Sequence, residues 1–234
     1  MIKDKNFYNK ESPIYSGKRY PKKILSYTQF FFKERLRIVI NKLVKNRSER
    51  DHLKLSEIGC ADGIILREIE KKLGDNFLEM TGIDAAEKMI EMAKTLNTSQ
   101  KTFFFVRGNE KKDEKFDVIL ELGVINYTDF EEEIKYAKGH LDPQGLYILS
   151  VAGNNSFHNY FNDKGEQYQN FTSYEEYEKI IKRYFLISKV IPCGFYLPIL
   201  WKFPSIALFL QRALEISFCL FKNFYHEKVY ILRV

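Results

Sequence analysis

The chain has 234 residues, 45% of them hydrophobic and 15% aromatic. That is long enough for one large α/β domain with an appendage, too short for two full-sized domains, and too apolar for a disordered chain. The formal charge of +6 is uneven: residues 1–54 hold 15 Lys/Arg against 5 Asp/Glu, an excess of +10, and the remainder holds 22 against 26, a deficit of −4.

A basic leading segment suits the phosphates of a lipid head group, a nucleotide sugar or nucleic acid, and equally suits a solvated helix face. Cys60, Cys193 and Cys219 are too few and too scattered for a disulfide framework or a zinc site, and a reducing, cytoplasmic setting is expected. Met-Ile-Lys-Asp-Lys-Asn is polar and lacks the apolar core of a secretory signal.

In chain order, residues 1 to 23 are rich in Tyr, Lys and Pro without a clean period, and Tyr27–Val44 shows apolar positions at helical spacing. Residues 1–50 therefore form an expected N-terminal cap, and residues 51–234 the main domain. Leu55–Ile58 reads as a first strand, Ile64–Leu73 as a helix, Phe77–Asp84 as a second strand and Glu87–Leu96 as a second helix. Thr102–Val106 and Phe116–Leu120 follow as strands, the latter near-continuously apolar, as a strand buried on both faces should be.

Phe130–Lys138 reads as a helix, Asp142–Gly145 as a turn with Pro at its second position, and Leu146–Val151 as a fifth strand. Strands alternating with helices in this way predict a parallel sheet. Phe185–Ile191 and Val229–Val234 read as two closing strands around an apolar insertion, about 194–224. Pro198, Lys202 and Pro204 interrupt that insertion, so it does not read as a membrane span. Core packing, a dimer contact, a lid over a greasy substrate and a peripheral membrane contact all suit its wide apolar face.

The densest chemical signal is Leu-Ser-Glu-Ile-Gly-Cys-Ala-Asp-Gly at 55–63. Gly59 and Gly63 permit backbone conformations closed to other residues, and Ala61 is small enough for a ligand to approach the main chain. Asp84 ends the second strand 21 positions after Gly63. Doubly wound nucleotide-binding sheets place a ribose-binding carboxylate about 20 residues beyond their glycine turn.

Glu57-Ile-Gly-Cys-Ala-Asp-Gly63, Gly82-Ile-Asp-Ala-Ala-Glu-Lys-Met89, Phe116-Asp-Val-Ile-Leu-Glu-Leu-Gly-Val124 and Leu141-Asp-Pro-Gln-Gly-Leu-Tyr147, taken in order, resemble the class I S-adenosylmethionine-dependent methyltransferases. The resemblance covers about residues 50 to 152. Ala61 stands where a glycine is frequent, Asn109 where an aspartate is common, and Gln144 replaces a glycine. Arg19-Tyr-Pro…Tyr27-Thr-Gln-Phe-Phe-Phe-Lys33 loosely resembles bacterial surface-polysaccharide methyltransferases.

The resemblance implies a Rossmann-like, doubly wound, mostly parallel seven-stranded sheet with an antiparallel last strand. It implies S-adenosyl-L-methionine as cofactor and S-adenosyl-L-homocysteine as product. Glu57, Gly59, Cys60, Ala61 and Gly63 would hold the methionine part, and Asp84 with Ala85 the ribose. Asn109 and Glu110 would face the adenine, and Glu121 and Leu122 the methionine end. Glu121 would bind the ammonium, act as a base or be structural. His158 would serve as a base toward an oxygen acceptor, contact substrate or be structural.

Asn126, Tyr127 and Asn154 are further pocket candidates, and Arg19-Tyr20 would close over the cofactor from the cap. His140 reads as a surface or capping residue. No clustered carboxylates suggest a metal. The acceptor implied is a small molecule or a glycan- or lipid-linked intermediate, for which the basic segment would suit an anionic group, and the chain a monomer or homodimer. A nucleic-acid or protein methyltransferase, prompted by the basic segment, and a non-catalytic binding module are the alternatives; Glu-Leu-Gly-Val after the fourth strand lacks the Asn-Pro-Pro-Tyr-type motif for flipped bases. A nicotinamide dehydrogenase would need G-x-G-x-x-G, whereas this chain reads G-x-A-x-G.

Overall fold

Short runs of alternating or continuous apolar residues form seven strands, and the order in which they pair decides where a ligand can sit. A computed structural model describes residues 4–46, 53–74, 77–111, 113–156, 158, 168–197, 199–218 and 221–234. The strands are β1 (Leu53–Ile58), β2 (Phe77–Asp84), β3 (Thr102–Val106), β4 (Phe116–Leu122), β5 (Leu141–Val151), β6 (Leu186–Phe195) and β7 (Tyr225–Arg233). They make one sheet in the order β3-β2-β1-β4-β5-β7-β6. The β3-β2-β1-β4-β5 pairs are parallel, and β7 runs antiparallel to both β5 and β6. Chain order reverses between β1 and β4, and the crevice beyond the carboxyl ends of the strands at such a switch point is where open α/β sheets bind ligands.

The helices are α1 (Lys5–Glu11), α2 (Tyr15–Arg19), α3 (Tyr27–Asn46), α4 (Ile64–Leu73), α5 (Glu87–Leu96), α6 (Phe130–His140), α7 (Tyr174–Tyr184) and α8 (Pro204–Ser217). In α4 the apolar spacing buries Ile65, Leu66, Ile69 and Leu73 against the sheet. Asp129 caps α6 by accepting from the Glu132 amide, with three acidic residues in its first turn and Lys138 and His140 in its last, as the helix dipole favours.

Two cores flank the sheet. Leu55, Val118, Leu120 and Leu122 pack toward α3 and α4, and Ile119, Tyr147 and Leu149 pack toward α6 and α7. Period-two alternation then assigns faces to two acidic residues: Glu57 shares the α3 side with Leu55, and Glu121 shares the α6 side with Ile119.

Strands β2 and β3 and helices α4 and α5 have the expected bounds, whereas several other elements differ. The Asp142–Gly145 turn lies inside β5: pairing with β4 jumps from Phe116↔Leu141 to Val118↔Leu146, and the Gln144 amide donates to the Asp142 carboxylate at 2.9 Å. Helices α1 and α2 have too few turns to show a period. Helix α7 was not among the expected elements, although Ser173 and Glu176 are spaced as a capping box; the Ser173 hydroxyl accepts from the Glu176 amide.

The apolar insertion between β6 and β7 folds mainly as α8. Only Ala207 and Gln211 of that helix are buried among its described side chains. The Gln211 amide donates to the Phe195 carbonyl at 2.6 Å, and its oxygen accepts from the Trp201 indole at 3.2 Å. Among the described residues no helix is long and apolar enough to cross a membrane.

Candidate active site at the carboxyl ends of the strands

Strand β1 stops at Ile58 because the next residues turn back on β2. Gly59 has φ +72°, and its amide and that of Cys60 both donate to the Ile83 carbonyl, at 2.7 and 3.1 Å. A Cβ at Gly59 would lie 2.1 Å from a Val124 methyl, so conformation and space both require glycine there. Ala61, at φ +48°, is the one non-glycine residue with positive φ among the described residues. Strain of this kind marks a backbone held for a purpose.

Asp84 fixes that turn. One carboxylate oxygen accepts from the Ala61 amide and the other from the Ala86 amide, each at 2.8 Å. Burial raises the pKa of Asp84, opposed by these same amides. The carboxylate thus ties the loop after β1 to the loop after β2 and retains lone pairs for further donors.

These loops open onto a cavity of about 460 Å³. Gly59, Ala61, Asp84, Ala85 and Leu122 line its sheet-end wall. Tyr8, Tyr15 and Arg19 of the cap and Phe31 and Arg35 of α3 form the facing wall, while Tyr168, His158 and His226 lie along it as well. The cap is fastened where it meets the turn: the Ser16 amide donates to Asp62 at 3.2 Å, as does the Ser16 hydroxyl, and the Lys88 amide donates to Asn9 at 3.0 Å.

Arg35 is buried and pairs with buried Glu227 of β7 at 3.1 Å, its guanidinium 5.3 and 5.0 Å from the Phe31 and Phe32 ring centres. Glu227 and neighbouring tyrosines hold Arg35 charged against the cost of burial. Gly123, at φ +73°, leaves room for this group, since a Cβ there would meet the guanidinium at 2.3 Å.

The expected site residues separate into three sets. Gly59, Ala61, Asp84, Ala85, Leu122, His158, Tyr127 and Arg19 line the cavity. Glu57, Cys60, Gly63 and Tyr20 support its walls. Glu57 is buried beneath the turn, and its Oε2 has no hydrogen-bond partner among the described residues. Burial pushes its pKa well up, with Arg35 opposing. Burial likewise pushes the Cys60 thiol up, which makes it a poor nucleophile. Gly63 leaves room for Phe104, whose ring a Cβ would meet at 2.7 Å.

Glu121, Asn109, Glu110, Asn126 and Asn154 do not line the cavity. Glu121 points to the α6 side, where its Oε2 accepts from the Tyr147 hydroxyl at 2.5 Å. Burial, reinforced by nearby Glu133, pushes its pKa up to about 8, opposed by Tyr147 and Arg107. Asn109 is exposed, and Glu110 accepts from the Gly108 amide at 2.5 Å and the Tyr136 hydroxyl at 2.9 Å. Arg107 lines the cavity in their place, its guanidinium 3.7 Å from the Tyr136 ring centre and 3.1 Å from Glu133. Asn126 braces the loop after β4, donating to the Ala152 carbonyl at 2.9 Å and accepting from its amide at 3.0 Å. His140 lies apart, with Nδ1 2.8 Å from the Tyr136 carbonyl oxygen.

His158 stands in an aromatic group with His226 at 4.0 Å between ring centres, Tyr196 at 4.8 Å and Tyr27 at 5.5 Å. Sequence reasoning missed His226, Glu227 and Arg35. Ionisable residues inside an otherwise apolar closing strand and an apolar helix face were the available signal. Among the described residues no group of three His, Cys, Asp or Glu side chains is placed to hold a metal.

Residues 56–147 match the model of a methyltransferase domain family. The chain is 26% identical over 145 residues to a malonyl-[acyl-carrier protein] O-methyltransferase of Bacillus anthracis, covering 60% of this chain and 53% of that protein. It is 26% identical over 128 residues to a ubiquinone biosynthesis O-methyltransferase of Bartonella tribocorum, covering 52% and 50%. The chain thus spans about half the length of these curated relatives. The fold is similar to that of magnesium protoporphyrin IX methyltransferase from Synechocystis PCC 6803, with a TM-score of 0.65 at 14% identity over 99% of this chain and 100% of the other. The four ordered motifs, this strand order and these matches together liken the chain to the class I S-adenosylmethionine-dependent methyltransferases, with residues 56–147 matching a methyltransferase domain.

Proposed function

We propose that the cavity binds S-adenosylmethionine on the β1–β2 turns and that the chain methylates an oxygen of a small or glycan- or lipid-linked acceptor. The observation that carries this reading is Asp84, held by two backbone amides at the cavity edge beside a turn with three residues at positive φ. Its remaining lone pairs suit two ribose hydroxyls, a charge-assisted arrangement. The unpartnered, buried Glu57 Oε2 under the same turn suits a nearby cation such as an α-ammonium.

When bound, the cofactor supplies an electrophilic methyl group on a sulfonium. The chain's own residues then bind, orient and move a proton. Gly59, Ala61 and Leu122 present the methionine end toward the acceptor side, while the aromatic cap excludes water and holds the acceptor in line. His158 takes the acceptor's hydroxyl proton on a ring nitrogen as the new oxygen–carbon bond forms. Arg107, rather than Asn109 or Glu110, bounds the cavity after β3, which supports it as the adenine-side residue. The O-methyltransferase relatives support oxygen as the methylated atom.

Calorimetry with S-adenosylmethionine and S-adenosylhomocysteine tests the first half; absence of binding to either overturns it. Transfer of labelled methyl to hydroxy- and carboxy-bearing small molecules and to lipid-linked glycans tests the second half. Protein that binds cofactor yet labels none of these classes overturns the acceptor claim. Transfer whose rate against pH is the same in wild type and His158→Gln removes His158 from the base role.

A further inference from the structure

Helix α8 is folded inside out for a protein in water. An amphipathic helix normally buries its apolar stripe and shows its polar face. Here the buried stripe is Ala207 and Gln211, held by the Gln211 bonds to Phe195 and Trp201, while Ile206, Leu208, Phe209 and Leu210 face outward. Phe209 is 84% exposed, and in the segment leading into the helix Ile199 is 77% and Phe203 60% exposed. Contiguous exposure on this scale marks a surface that meets something apolar.

The charges around this face say what it meets. From Phe195 to Ser217 the charged residues are Lys202, Arg212 and Glu215, and the one carboxylate, Glu215, is half-buried and accepts from the Gln211 amide at 3.1 Å. Trp201 packs on Tyr27 and Phe30 at the start of α3, with ring centres 5.7 and 5.4 Å apart, so the segment before α3 borders the same region. From Ser12 to Lys33 there are five cations, of which Lys18 and Arg19 pair with Glu11 at 3.1 and 3.3 Å, and Lys22, Lys23 and Lys33 have no carboxylate between them. Lys22, Lys23 and Lys202 are exposed, Leu25 beside them is 59% exposed, and the Lys33 ammonium donates to the Lys22 carbonyl at 3.2 Å. An apolar centre with aromatic residues and exposed lysines at its edge is the pattern of an interfacial anchor for an anionic bilayer. A second copy would bring the same cationic rim against itself.

We propose that α8, the Ile199–Phe203 segment and the Lys22–Leu25 loop dock together on the surface of an anionic lipid bilayer. Phe203, Ile206 and Phe209 enter the boundary between head groups and acyl chains, and Lys22, Lys23 and Lys202 meet the lipid phosphates. Tyr27 joins this face to the cavity, touching Trp201 on one side and lining the cavity on the other. A membrane-held acceptor would therefore have a short path to the site. The docking itself does not rest on the methyl-transfer reading.

The test is flotation of the full chain with vesicles of phosphatidylcholine alone and with phosphatidylglycerol added, alongside light scattering of the free protein. The expected result is binding to the mixed vesicles and weak binding to the neutral ones. Lys22→Gln with Lys23→Gln should lower binding to mixed vesicles roughly thirtyfold, and Phe209→Asp should lower it at least about tenfold. Unchanged circular dichroism in these variants shows that the fold survives. Failure of wild type to float with either vesicle overturns the proposal, and a dimer dispersed by Phe209→Asp then identifies a second copy as the occupant. Equal binding to both vesicle types overturns the role of the cationic rim.

Discussion

The cavity's two walls are built on opposite principles. The sheet-end wall is made of backbone: Gly59, Ala61 and the loop after β2 present main-chain atoms held in place by Asp84, with short-range bonds that close within about one βα unit. The cap wall is made of side chains from distant parts of the chain, and its central bond joins Arg35 to Glu227 across 192 positions. A wall of backbone specifies a ligand common to many proteins, because any sequence able to make the turn can make the site. A wall of side chains can change its acceptor without disturbing that turn.

The sharpest way to break this comparison is to remove the cap wall's ion pair. Arg35→Ala leaves Glu227 buried and unpaired, and should destabilise the protein by about 3 to 5 kcal/mol in chemical denaturation. A loss under about 1 kcal/mol would mean that the cap wall does not depend on this link.

Next in size is Glu121, which the comparison places in the structural core rather than in either wall. Its carboxyl stays protonated in the folded protein up to about pH 8 but ionises near 4.5 when unfolded. Unfolding therefore releases a proton between those values, and stability falls as pH rises through that window, by on the order of 1.4 kcal/mol per pH unit. Glu121→Gln should flatten this slope and raise stability near pH 8 by roughly 4 kcal/mol, measured by urea denaturation across pH. An unchanged slope would show that the carboxyl is ionised in the fold.

Asp84→Asn sets an NH2 against one of the two backbone amides that the carboxylate now holds, loosening the sheet-end wall, and removes the charge from its remaining bonds. Cofactor affinity should drop about fifty- to hundredfold by calorimetry, roughly 2 to 3 kcal/mol. A drop of less than about threefold would move ribose recognition away from Asp84. The smallest effect belongs to Tyr27→Phe, which deprives the Gly194 carbonyl of a donor now at 2.7 Å. A stability loss of about 1 kcal/mol is expected in thermal denaturation, with cofactor affinity unaltered if the two walls act separately.

The sheet-end wall was legible because its signals are local. Glycines at 59 and 63, a small residue at 61 and an acid ending β2 follow from backbone conformation and strand length alone. Helix α7 carried an equally local signal in its Ser173–Glu176 box, which shows that not every miss was a tertiary effect. The placement of Glu121 was not local. It and Leu122 are adjacent in sequence, yet alternation sends one to the α6 core and the other to the cavity, and only the packing of both sheet faces decides which.

By itself, the sequence carried the alternation of strands and helices, the glycine turn after β1 and the acid that ends β2, because each depends on residues close to one another along the chain. The tertiary structure alone decided that Arg107 and not Asn109 lines the cavity after β3, that Arg35 and Glu227 meet, and that His226 joins His158. It also decided that α8 shows its apolar side outward. These depend on contacts between segments far apart in the chain, where the direction of a side chain follows from what packs against it and periodicity carries no information.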